Sequence, residues 1–68
     1  MRTNVIELYK LNQAKARLAN SEIIAMFGGP DIERDEDPEH FDMRKEANIV
    51  LRTLEVAMTD DELEAVGF

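Results

Sequence analysis

The stretch Phe27-Gly28-Gly29-Pro30-Asp31-Ile32-Glu33-Arg34-Asp35-Glu36-Asp37-Pro38 decides how this chain folds. Its first residues stop a helix, because glycine takes the left-handed backbone at a helix C-terminus without Cβ strain and a proline just beyond blocks continuation. Its last two open another. Asp37 can accept from the free N–H groups of a first turn, and Pro38 at the first helical position lacks only an N–H that would have had no partner. What lies between is acidic, with Ile32 its only apolar residue, and reads as a solvated linker over 28–37.

Working backward from Gly28, an amphipathic helix is expected over about 5–27. Asn4 is the expected N-cap, with Glu7 as its reciprocal partner in a capping box. At 100° per residue, Val5, Leu8, Tyr9, Ala16, Leu18, Ala19, Ile23, Met26 and Phe27 share a broad face opposite Lys10, Gln13 and Arg17. Asn12 interrupts that face, and Ile6 and Ile24 project from the far side. Asn20-Ser21 offers a break, but the pattern favours one continuous helix.

Working forward from Pro38, His40, Met43, Ala47, Val50, Leu51, Leu54, Ala57 and Met58 form a cleaner stripe over about 38–58. Ile49 and Val56, seven apart, make a second apolar line on its back. Thr59-Asp60-Asp61-Glu62 then reads as a capping box with acidic residues in the first turn, opening a short helix over about 60–66 that Gly67 ends. The fold class is therefore all-α: an antiparallel helical hairpin plus a short C-terminal helix, in one domain spanning 1–68.

A chain of 68 residues with three Phe, one Tyr, no Trp and no Cys has a thin core. Disulfides and cysteine-held zinc are excluded, which leaves association with other chains as the expected source of added stability. The net charge of −7, from fifteen Asp and Glu against eight Lys and Arg, disfavours direct binding to nucleic acid or anionic membranes. No apolar run approaches the roughly 20 residues that span a bilayer. A cytoplasmic location is expected, with protein as the partner.

Candidate chemistry is sparse. The alternation Asp31, Glu33, Asp35, Asp37, Glu39, Asp42 resembles the ligand spacing of an EF-hand calcium loop over those twelve positions. It departs from that pattern where Glu36 replaces the turn glycine, Asp42 replaces the bidentate Glu, and Pro38 imposes helix geometry early. His40 is the only histidine and sits at the start of an apolar stripe, which suits a packing or capping role. With no nucleophile, base and oxyanion donor in local register, no catalytic site can be assembled, and no metal or cofactor is expected.

The expected function is a non-enzymatic protein–protein interaction module, an assembly factor, adaptor or structural subunit that self-associates, or docks on a larger protein, through spare apolar helix faces, with a homo-oligomer the favoured form. Ile6, Ile24, Ile49 and Val56 are the expected contacts, with Phe68 beside them. Basic flanks at Lys10, Lys15 and Arg17 and at Arg44, Lys45 and Arg52, alongside the acidic linker and C-terminal segment, make the molecule dipolar, which suits head-to-tail or antiparallel association. The alternative is a small acidic inhibitor of the kind phages encode, masking a basic nucleic-acid-binding surface on a host protein. It would use Asp31, Glu33, Asp35, Glu36, Asp37, Asp60, Asp61 and Glu62.

Overall fold

The fold was obtained as a computed structural model that describes residues 2–68. Three helices follow one another, α1 (Thr3–Phe27), α2 (Pro38–Ala57) and α3 (Asp60–Ala65), and α1 packs along α2. Local chemistry sets most of the boundaries. Gly28 ends α1 in the left-handed conformation, φ 80°, and its N–H donates to the Ile24 carbonyl at 2.8 Å. Asp37 caps α2 by accepting from the His40 N–H at 3.3 Å, with Pro38 at the first helical position. Thr59 and Glu62 close the expected capping box on α3, the Thr59 hydroxyl accepting from the Glu62 N–H and Glu62 accepting from the Thr59 N–H. α1 runs unbroken through Asn20-Ser21.

The start of α1 differs from the sequence expectation. The helix begins at Thr3, and Arg2, in extended backbone, occupies the N-cap position with no side-chain cap of its own. Asn4 and Glu7 form no capping box. The reason is a carboxylate that comes from the far end of the chain. Glu62 Oε2 accepts from the Arg2 main-chain N–H at 2.9 Å and from Arg2 Nε at 3.1 Å, and Glu62 Oε1 accepts from Arg2 Nη2 at 2.9 Å. The same Nη2 donates to the Ala57 carbonyl at 2.8 Å, so one guanidinium joins the end of α2 to α3. Negative charge at a helix N-terminus and positive charge at a C-terminus are both favoured by the helix dipole.

This clasp closes the main core. Tyr9, Met58 and Val66 are buried there, with Val5, Ile6, Leu51, Leu54 and Leu63 packed around them. Farther along the hairpin the buried residues are Asn12, Ala19 and Ala47, all small, and Ile23, one of the largest side chains that is fully buried. On α1 the inward positions run Val5, Tyr9, Asn12, Ala16, Ala19, Ile23, an alternation of four- and three-residue steps that keeps one seam facing a partner helix. Alanine on that seam lets the two backbones approach closely. Asn12 fits because its amide donates to the Leu8 carbonyl at 2.9 Å, so no buried donor is left without a partner.

Candidate functional site

The small seam residues have a consequence for the rest of α1. With Asn12, Ala16 and Ala19 turned inward, Leu8, Leu11 and Leu18 are rotated out and are 44%, 54% and 57% exposed. Sequence periodicity had placed Leu8 and Leu18 in the core; the structure corrects this, because the seam is centred on Asn12 and not beside it. Across from them on α2, Met43 and Val50 are half-buried. Asn12, Lys15, Leu18, Met43, Glu46, Ala47 and Val50 line a shallow groove of about 550 Å³ between the helices. Leu11 extends the row by one turn. The arrangement is an apolar face on the hairpin carrying one cation from α1, Lys15, and one anion from α2, Glu46.

The contact residues expected from sequence are placed differently. Ile6 is not spare: it is half-buried and packs against the Tyr9–Met58–Val66 core. Ile24, Ile49, Val56 and Phe68 are exposed, but they do not form one surface. Ile24 leaves α1 on the side away from Leu11 and Leu18, Ile49 and Val56 lie along the outer edge of α2, and Phe68 follows α3. Exposed apolar residues scattered in this way are ordinary on a protein surface. Ile49 does share a smaller depression with Phe41, Arg44, Lys45, Asn48 and Arg52. Its most central cation is already engaged, since Arg44 Nη1 donates to Asn20 Oδ1 at 2.8 Å and to the Pro30 carbonyl at 2.7 Å, tying the linker to both helices.

The acidic residues are likewise divided. Asp37 and Glu62 are buried and serve internal bonds, so neither presents charge to a partner. Asp31, Glu33, Asp35 and Glu36 are exposed in the linker, while Asp60 and Asp61 open α3. The clasp holds α3 at the start of α1 and the linker follows its end, so the two groups sit at opposite poles of a molecule 39 Å long. The alternation that resembles a calcium loop is dispersed by the same bonds. Asp37 is committed to His40 and to the cap, and Asp42 accepts from Arg34 at 3.1 and 3.2 Å. Among the described residues no group of three or more His, Asp or Glu is placed to hold a metal ion.

Besides Arg2, whose pKa its bond to Glu62 raises, three ionisable side chains are held away from their ordinary behaviour. His40 Nδ1 lies 2.7 Å from Asp37 Oδ2. That hydrogen bond raises the imidazole's pKa against the cost of desolvation, with the charges of Asp37, Glu39 and Glu22 adding to it. The Tyr9 hydroxyl is pushed up to about 12, first by burial and then by donating to Glu55 Oε1 at 2.7 Å. Glu62 is held far below the usual carboxylate range by the Arg2 side chain first, then by the N–H groups of Thr59 and Arg2. The Tyr9–Glu55 and Arg2–Glu62 bonds pin one part of the fold to another, the His40–Asp37 bond stays within the first turn of α2, and none of these residues lines the groove.

Set against models of protein families, curated proteins and solved structures, the chain matches none. Among the described residues no helix is long and apolar enough to cross a membrane. The roles of individual residues therefore rest on the geometry above.

Proposed function

We propose that this protein is a non-enzymatic protein–protein interaction module, a helical hairpin that completes its core on another helical surface. The observation that carries the reading is the exposed row Leu8, Leu11 and Leu18 on α1, beside a groove in which Leu18 meets Met43 and Val50 of α2. A hairpin of this kind is half of a four-helix bundle. Its inward seam is occupied by its own second helix, and its next-best face awaits a partner. Magnitudes agree. The accessible surface of 4807 Å² exceeds the roughly 4400 Å² of a compact monomer of this mass.

The acidic-inhibitor alternative has less support, because its carriers lie at two poles and two of them, Asp37 and Glu62, are consumed inside the fold. The test is a photo-crosslinking residue placed at Leu18, with a second at the outward Lys10 as control. The reading expects Leu18 to crosslink to a polypeptide, whether another copy of the chain or a foreign protein, with Lys10 giving at most a trace. Equal crosslinking from both positions, or none from Leu18, overturns it.

A further inference from the structure

The groove carries its own indication of what covers it. Lys15 stands on α1 and Glu46 on α2, and both line the same apolar depression beside Leu18, Met43 and Val50. We propose that the occupant is a second copy of this chain, seated face to face by a two-fold axis parallel to the hairpin's long axis. This rests on the interaction reading above and names its partner and geometry.

The choice of axis follows from the charges. Two copies pressed together on this face can be related by a two-fold along the helices or by one across them. A two-fold along the helices lays α1 of each copy on α2 of the other, which brings each Lys15 to the partner's Glu46. A two-fold across the helices lays α1 on α1 and α2 on α2, and with the axis at the level of the groove it sets Lys15 against Lys15 and Glu46 against Glu46. Within the groove only the first sets opposite charges together, and in a symmetric dimer that pair occurs twice. Both axes make every neighbouring helix antiparallel, so the helix dipoles oppose at each contact in either and the charge pairs make the choice. The molecule measures 39 × 16 × 15 Å, so the two copies must lie along most of each other's length to approach the roughly 800 Å² that each partner gives to a stable interface.

The experiment uses the whole chain and three variants, Lys15→Glu, Glu46→Lys and the double exchange, each checked for helix content by circular dichroism. Mass is read by light scattering after size exclusion, and Kd by sedimentation. Wild type is expected at about twice 7.8 kDa. Lys15→Glu sets two carboxylates against each other twice over and Glu46→Lys does the same with two cations, so each alone should raise Kd by about tenfold or more. Mixing the two single variants should restore a dimer, because each then offers what the other lacks, and the double exchange should restore it within one chain. Dimers indifferent to both single changes overturn the proposed face, a mixed pair tighter than the wild-type dimer overturns the proposed axis in favour of the one across the helices, and single variants that stay apart when mixed overturn the Lys15–Glu46 pairing. A monomeric wild type that still crosslinks a foreign polypeptide from Leu18 overturns the second copy and leaves the interaction reading standing; a monomeric wild type with no crosslink from Leu18 removes both.

Discussion

Tyr9 illustrates what a single side chain does in so small a core. It is 4% exposed, contributes most of the aromatic surface at the junction of the three helices, and satisfies its hydroxyl on Glu55 at 2.7 Å. Burial of the ring is favourable only because that hydroxyl has an acceptor, since an unpaired buried hydroxyl costs about 1–3 kcal/mol. Burial disfavours the phenolate, and the hydrogen bond to Glu55 and that carboxylate's charge add to it, which is why its pKa rises to about 12. The chain has one Tyr and no Trp, so the ultraviolet absorbance of the phenolate reports this group alone. It should titrate near 12 in the folded protein and near the ordinary value of about 10 in denaturant. The folded pKa lies above the unfolded one, so the associated stability is complete below about pH 10 and is lost as pH rises from there through about 12. Thermal melts across that range should fall for wild type and flatten for Tyr9→Phe. A folded-state titration near 10 would mean that the ring is not held against Glu55.

At the scale of elements, the clasp between Arg2 and Glu62 ties the start of α1 to α3 and the end of α2. A six-residue helix does not hold itself together in water, because nucleation fixes several residues for one hydrogen bond. α3 therefore depends on Val66 in the core and on Glu62 in the clasp. The Glu62 pKa is depressed in the fold, so its contribution is present above the unfolded carboxylate value of about 4.3 and is lost as pH falls below it. Glu62→Gln should melt lower than wild type at neutral pH by more than Thr59→Ala, a cap loss of about 1 kcal/mol. The gap between Glu62→Gln and wild type should close on acidification below about pH 4. A gap that stays constant down to pH 2 would mean that the carboxylate's charge is not what the clasp uses. These two residues also explain what sequence could reveal. Gly28, Asp37-Pro38 and the Thr59–Glu62 box were legible because each boundary is written within a few neighbouring residues. The start of α1 was not legible, since its cap comes from a residue sixty positions away. The exposed leucine row was also missed. Leu8 and Leu18 look like core by periodicity until Asn12, which satisfies its own amide on Leu8, is allowed into the seam. The alternating four- and three-residue steps from Val5 to Ile23 were the signal that would have turned the helix correctly.

For the molecule as a whole, the radius of gyration is 13.4 Å, against roughly 11 Å for a compact domain of this length. The excess reflects a rod of two helices with its best core at one end, and pairing two such rods side by side would shorten the aspect ratio and cover the leucine row. If folding and pairing are linked, stability becomes a function of concentration. A tenfold increase in chain concentration adds about 1.4 kcal/mol per dimer, which for a folding unit of two such chains raises the melting midpoint by roughly 5 °C. Salt separates this mode of association from an electrostatic one. Each chain carries −7, so two chains repel over long range, and raising ionic strength shortens the screening length to about 8 Å at 0.15 M. That weakens the repulsion between whole molecules more than it weakens the close Lys15–Glu46 pairs, while apolar burial is not reduced. The dimer's melting midpoint should therefore rise with both concentration and salt, whereas a complex held by acidic residues on a basic target loosens as salt is added. A midpoint independent of concentration over a hundredfold range would show that the hairpin folds alone, and the covered leucine row would then have to be sought in a foreign complex.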